Sequence, residues 1–436
     1  MTNLIVQISK YLMIILFLVY TYECFHVFQK KVATEDKPFC YTIQRMAMYM
    51  IHFDAFLVLY LTNEMDKRIL GLYGMQLLFI VALQLIYRMA YKNVSELVLN
   101  NMCMLMMIGY IVLTRLSIDR VIRQFVFSVV GAIIALFIPV ILSRKSMFRK
   151  LKWLYAVVGI VLLGIVLVLG ATSYGAKLSI TIMGITIQPS EFVKIIFVFY
   201  IAGMLYIKND FKQVVITSGI CAIFVLILVA SRDLGGALLY FFTYLVMIYV
   251  ATGKKRYFCA GIVGMVFAAI VGYYLFSHVQ TRVIAWSDPL SVIDKEGYQV
   301  CQSLFAIGTG GWFGLGLNQG MPSKIPVVDK DFIFSAIAEE FGGIFAVCII
   351  MVCVSCFFMI MNIAMKLKDQ FYKLVAVGLG TIYALQVFLM IGGGIKFIPS
   401  TGVTLPLISY GGSSLLSTMI MFGIVQALYI LRDQKK

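Results

Sequence analysis

Residues 151–170 read LKWLYAVVGIVLLGIVLVLG, and after Lys152 no charged side chain interrupts the run. A stretch of about 20 apolar residues is what a helix needs to cross the hydrocarbon of a bilayer. The run is continuous, whereas a barrel strand alternates over about ten residues, so the helical solution to pairing every backbone group in lipid applies. Working outward, similar runs cover 4–28, 42–62, 71–91, 99–116, 125–144, 188–207, 211–231, 234–253, 257–278, 332–362, 374–396 and 411–431. The expected fold is therefore all-α, a polytopic membrane protein of about 13 spans.

Composition agrees. Of 436 residues 62% are hydrophobic and 13% charged, about half the charge of an average globular chain, and the mean hydropathy is +0.96. The net charge of +16 is distributed over short loops, which points to membrane topology and away from nucleic acid. Lys30, Lys31 and Lys37 follow run 1, Arg88 and Lys92 run 3, and Arg144, Lys145, Arg149, Lys150 and Lys152 run 5. Lys208 and Lys212 follow run 7, Lys254, Lys255 and Arg256 run 9, Lys366, Lys368 and Lys373 run 11, and Arg432, Lys435 and Lys436 run 13. Odd-numbered runs thus end on the basic side, which predicts an outside N-terminus, a cytoplasmic C-terminus and plasma-membrane location. Arg115, Arg120 and Arg123 are the exceptions, on the outer side. The N-terminal run has no small-residue cleavage site after a short apolar core and reads as a retained anchor. Cys103, Cys221, Cys259, Cys348, Cys353 and Cys356 fall in apolar runs and read as small hydrophobes. The scattered His26, His52 and His278 give no metal-ligand spacing, so no metal site is expected from them.

By this parity a long outward segment, about 279 to 331, separates runs 10 and 11. Other outward connections, before runs 7, 9 and 13, are broken by Gly and Pro, the mark of re-entrant backbone lining a cavity. Ionisable groups gather at that face: Glu191 and Lys194, Asp233, Asp331, Glu339 and Glu340, with Arg282, Lys324, Lys330, Arg232 and Lys396. Asp331 opens run 11, where it reads either as a helix cap or as a general base whose basicity desolvation raises. Glu191 and Lys194 have the spacing of an ion pair, the alternative being substrate contact. Asp233 can cap run 9. Glu339 and Glu340 lie roughly 12 Å along a helix from Asp331 at 1.5 Å per residue and are expected to bond neighbouring helices. The glycines at 308, 310, 311, 314 and 316 read as a tightly packed turn, since no strand–helix unit surrounds them. Trp286 and Trp312 suit an interface belt or a sugar-stacking surface.

These residues fall into motifs that resemble the SEDS family (shape, elongation, division, sporulation). The motifs are Arg123-Gln124, QPSE at Gln188 to Glu191 with Lys194, Asp233-Leu234-Gly235, and Gly297-Tyr298-Gln299 with Gln302-Ser303. AIGTGG at Ala306 to Gly311 with Gly314 and Gly316, DFIF at Asp331 to Phe334, AEE at Ala338 to Glu340, and Pro399, Thr401-Gly402 and LPLISYGGSS at Leu405 to Ser414 complete the series. The resemblance covers roughly 99 to 432 as a ten-span core; residues 1–95 have no counterpart in it and read as an added three-span module, with 96–436 as the core domain.

The resemblance implies a peptidoglycan glycosyltransferase that polymerises lipid II at the outer face of the plasma membrane, in cell shape or division, beside a class B penicillin-binding protein. It implies Asp331 as the base that takes a proton from the acceptor hydroxyl in an inverting transfer. Arg282, then Lys324, Lys330 and Lys396, are expected to stabilise the leaving pyrophosphate. Glu191, Lys194, Asp233, Gln302 and Ser409 are further expected substrate contacts. Pro189, Glu339, Glu340, Gly411 and Gly412 are expected to be structural. The cofactor is open, with a divalent cation held jointly with the pyrophosphate as one option. A lipid-linked-precursor flippase and a non-catalytic scaffold are the alternatives. Departures from the family pattern are the absence of a tryptophan in Gly175-Ala176-Lys177-Leu178-Ser179, Arg232 before Asp233, Lys330 before Asp331, and Met390 in run 12.

Overall fold

The structure is a computed structural model that describes residues 2–29, 36–143, 145–173, 176–182, 185–207 and 210–432. Gly175 and the basic residues Lys30, Lys31, Arg144, Lys208, Lys435 and Lys436 lie outside the described residues. The helices are α1 (Thr2–His26), α2 (Lys37–Thr62), α3 (Lys67–Ala90), α4 (Glu96–Leu116), α5 (Ile118–Leu142), α6 (Lys145–Lys150), α7 (Lys152–Leu169), α8 (Pro189–Leu205) and α9 (Phe211–Ala230). They continue as α10 (Leu234–Thr252), α11 (Lys255–Leu275), α12 (Ser277–Ser287), α13 (Tyr298–Gly310), α14 (Ile333–Phe341), α15 (Gly343–Lys366), α16 (Gln370–Gly394) and α17 (Gly412–Arg432). Each of the thirteen apolar runs has its long helix, and among the described residues 11 helices are long and apolar enough to cross a membrane. The other two are α2, which carries Arg45, His52 and Asp54, and α8, which has 17 residues.

The fold is the expected helical membrane bundle, with two local departures. The segment before α8, expected as broken re-entrant backbone, is a small three-stranded antiparallel sheet, β1 (Ala171–Ser173), β2 (Ala176–Ile182) and β3 (Ile185–Ile187). The β-branched alternation ITIMGITI favours extended chain over a broken helix. Run 11 is likewise two helices. At Gly342, φ is +90° and α14 gives way to α15, because the loop carrying Gly314 presses its backbone against the break.

The α4 helix is the axis of the bundle, with every residue from Leu97 to Thr114 buried. The α5–α17 pair packs through small residues: Gly423 meets the α5 backbone at Ala135, and Gly131 meets Met419. The first three helices pack against this core as well as against each other, α1 on α15 and α2 and α3 on α4. In the apolar interior they are joined to it by polar side chains. Tyr20 donates to Asn101 Oδ1 at 2.9 Å, Asn101 Nδ2 donates to Ser355 at 3.3 Å, and Asn100 Nδ2 donates to Gln44 Oε1 at 2.9 Å.

The connections sort into two ends, as the parity of the basic loops requires. At one end Arg45 and Arg88 both hold Glu96, Gln426 exchanges two hydrogen bonds with the Ser95 backbone, and Arg149 pairs with Asp369. At the other end are Arg115, Arg120, the 277–331 segment, the 395–411 segment and the sheet. The long segment is therefore not a free loop: α12, α13 and a 3-10 turn at Pro322–Lys324 fold it onto the bundle.

Candidate active site

Asp331 follows a tight turn in which its N–H donates to the Val327 carbonyl at 3.2 Å. Val327 has φ +55°, an unusual backbone state for a β-branched residue, and such strain gathers at functional sites. The cap expectation for Asp331 is not met. The first residue of α14 is Ile333, Phe332 precedes it, and no side chain caps that helix. The half-buried carboxylate has no hydrogen bond to any described protein group and faces Arg282 of α12 across Gly402. A side-chain carbon added at Gly402 would lie 3.6 Å from Arg282 Nη2 and 3.9 Å from Asp331 Oδ2. With φ at +75° as well, Gly402 is a position that favours glycine, and it puts no side chain between the two groups. Burial pushes the Asp331 carboxyl up to about 6, against the pull of Arg282 and Lys330.

Asp233 is the N-cap of α10 and accepts from Gly236 N at 2.8 Å. Burial raises its pKa, while the backbone hydrogen bond from Gly236 and the charge of Arg282 act in the other direction. The backbone beside it leaves no room for a larger residue: a carbon on Gly235 would come 2.6 Å from the Thr401 carbonyl. Glu191 and Lys194 do form the ion pair, 2.6 Å apart, with Lys194 also donating to Gln386 at 3.0 Å and Ser417 to Glu191 at 3.1 Å. The Lys194 side chain is only 3% exposed and Glu191 15%. Replacing Lys194 by Met should therefore cost about 2–4 kcal/mol by leaving Glu191 unpaired, read as a lower melting temperature in detergent; restoration by Glu191→Gln in the same chain would identify the pair as the cause.

Ser409 acts through its hydroxyl, accepting from Leu405 N and donating to the Lys330 carbonyl at 2.7 Å, so it positions the turn before Asp331. Gln124 completes the lacing by donating to the Ser409 carbonyl and accepting from Gly411 N. Gly412 lies against Phe127 and Pro189 opens α8. Lys330 lines a cavity of about 660 Å³ with Arg120, Arg123, Asp329 and Tyr410, on the flank of the same turn. Lys324, Lys396 and Gln302 are not brought to Asp331 by any contact. Lys324 ends the exposed 3-10 turn, the carbonyl of Lys396 accepts from Trp286 Nε1 at 3.1 Å, and Gln302 lies on α13 beside Ser303, which is the residue that bonds across, to the Gly394 carbonyl. Trp286 is thus engaged in holding the 396 turn, while Trp312 is 69% exposed.

Glu339 and Glu340 bind a loop more than a helix. Their side chains accept from Met321 N and Gly320 N, their carbonyls accept from Leu315 N and Gly316 N, and Glu340 pairs with Arg115 of α4 at 3.1 Å. Arg115, Arg120 and Arg123, the exceptions to the charge rule, now have a reason: they pair with Glu340 and Asp329 or line the cationic cavity. Their sequence signal was the spacing RLSIDRVIRQ, three arginines that topology alone does not explain.

Comparison with known proteins follows the same residues. A family model described as cell cycle protein, for FtsW, RodA and SpoVE, matches residues 94–434. The peptidoglycan glycosyltransferase RodA of Mycobacterium tuberculosis is 32% identical over 322 residues, 70% of this chain and 69% of that protein. Stage V sporulation protein E of Bacillus subtilis is 32% identical over 319 residues, 70% and 85% of the two chains. Among solved structures, a chain of a peptidoglycan synthase complex that coordinates polymerization and crosslinking superposes with TM-score 0.67, and Thermus thermophilus RodA with 0.60. These are 22% and 23% identical, cover 78% of this chain, and span 99% and 98% of their own. The matched region starts just before α4 and ends at the close of α17, enclosing every motif gathered around Asp331; the chain belongs to the FtsW, RodA and SpoVE family, the SEDS proteins.

Proposed function

We propose that the protein is a peptidoglycan glycosyltransferase that extends glycan strands from lipid II in cell-wall synthesis, with Asp331 as general base. The observation that carries the reading is the Asp331 carboxylate, without a hydrogen-bond partner among the described residues, facing Arg282 with the side-chain-free Gly402 between them. In an inverting transfer the acceptor hydroxyl attacks C1 of the donor sugar and loses its proton to the base, while the C1–O bond to the pyrophosphate breaks. Arg282 offsets the charge that grows on that pyrophosphate, and Asp331 receives the proton. The basic loops support an outward-facing Asp331 end, and lipid-linked substrates would then enter from the membrane's outer leaflet. The named function of the peptidoglycan synthase neighbour supports a class B penicillin-binding protein as partner.

Residues 1–95 form a membrane module that braces the loop held by Glu339 and Glu340. Lys10 donates to the Gly314 carbonyl at 3.2 Å, Tyr11 packs on Phe313, Val6 lies against Gly316, and Asn318 donates to Thr62 at 2.9 Å. The test is purified protein, alone and with its transpeptidase, given fluorescent lipid II. Glycan ladders that require Asp331 support the polymerase. Lipid II crossing vesicle membranes with no ladder would replace it by a flippase, and neither activity by a scaffold. In the same assay Lys10→Ala with Tyr11→Ala should reduce ladder formation about 3- to 10-fold at unchanged expression; an unchanged rate would separate the module from catalysis.

A further inference from the structure

We propose that Glu23, His26 and Cys40 form a divalent transition-metal site, suited to Zn²⁺, that fastens the end of α1 to the start of α2. It is independent of the polymerase reading and lies at the opposite end of the bundle from Asp331.

The E-x-x-H spacing puts the Glu23 carboxylate and the His26 imidazole on one face of the last turn of α1. Cys40, in the first turn of α2, completes the group from the facing helix. Nδ1 of His26 is 3.2 Å from Glu23 Oε2 and 3.7 Å from Cys40 Sγ, and one ligand atom from each residue lies within 4.8 Å of the others. Zinc bonds of about 2.0–2.1 Å to N and O and about 2.3 Å to S, at tetrahedral angles, place N and O about 3.3 Å apart and N and S about 3.6 Å apart. The two measured edges are close to those of a zinc-centred tetrahedron.

Without a cation the Glu23 carboxylate is the common acceptor: Nδ1–H of His26 donates to it, and the Cys40 thiol shares it as a hydrogen-bond partner. A metal ion would take the place of those protons and accept a lone pair from each of the three groups. The donor set of thiolate, imidazole and carboxylate selects zinc over the oxygen-seeking Mg²⁺ and Ca²⁺. Tyr22 stacks on the His26 ring, 5.3 Å between centroids and 26° between planes, which fixes the ring's direction. The His26 side chain is 31% exposed, so an ion has a way in and a fourth position is left for water or a further ligand. By the charge rule this end faces the cytoplasm, where thiols stay reduced.

The experiment uses full-length protein in detergent, purified through a tag without histidines and dialysed against a weak chelator. Metal analysis should find about one zinc per chain, and Co²⁺ substitution should give thiolate-to-cobalt charge-transfer absorption with tetrahedral d–d bands. Cys40→Ser should abolish the charge transfer and weaken retention by at least about 10-fold, and His26→Ala should do the same. Cys259→Ser, at an exposed cysteine on α11, should change neither. If the variants fail to fold, alkylation of Cys40 in the wild-type chain answers the question: zinc should slow it and a strong chelator restore it. Absence of retained metal, retention equal in Cys40→Ser, or an alkylation rate indifferent to zinc would each overturn the site and leave a proton-linked cluster only.

Discussion

Asp331→Ala should lower glycan-strand formation by about 10²–10⁴-fold, with the protein still extracted, folded and able to bind its partner. The size follows from the role: a positioned base that loses its carboxylate leaves the acceptor hydroxyl to water. Asp331→Asn should be as inactive, since the amide keeps the shape and cannot take a proton. A base is useful only when unprotonated, so with the wild-type carboxyl at about 6 the rate should fall as pH drops through that value and level off above it. Arg282 pulls this pKa down; Arg282→Ala should thus move the acid limb to higher pH besides lowering the plateau, by about 10²-fold if it stabilises the leaving pyrophosphate. Rates from gel-resolved ladders at matched protein, over a pH series, decide the matter. Ladders unaltered in Asp331→Ala would remove the base assignment, and an acid limb unmoved in Arg282→Ala would remove the coupling between the two residues.

Gly342→Ala should be strongly destabilising, costing about 2–5 kcal/mol. The backbone there sits at φ +90°, outside the range of alanine, and the added carbon would come 2.4 Å from Gly314 N and 2.5 Å from the Phe313 carbonyl carbon. Those contacts are backbone on both sides and cannot turn aside. The consequence extends past stability, because Gly342 lets α14 leave the line of α15 and so fixes where Asp331 emerges. A melting curve in detergent should shift down strongly, and any surviving protein should polymerise poorly. Gly219→Ala, on α9 with open space around its missing side chain, should be nearly silent and is the control. Equal melting temperatures for Gly342→Ala and wild type would mean that the break is not rigidly held.

Hydropathy made the long helices legible because lipid demands it: each apolar run contains one long helix, run 11 a shorter one besides, and the basic loops collect at one end of the bundle. The Glu191–Lys194 pair and the Asp233 cap were also readable, since both are set within one helical turn. Asp331 stood out from its place at the start of run 11, and the spaced motifs supplied the family. What local spacing does not contain is which residues distant in the chain meet. The break at Gly342 depends on Gly314 approaching from 28 positions away, and an apolar run with two glycines reads equally well as one straight helix. The cavity shared by Arg120, Arg123 and Lys330 and the meeting of Glu23 and His26 with Cys40 have the same cause. Hydrophobicity and charge, which act along the chain, set where the long helices run and which ends lie together; backbone contacts and ion pairs between remote segments, which exist only after the helices pack, chose the neighbours of Asp331.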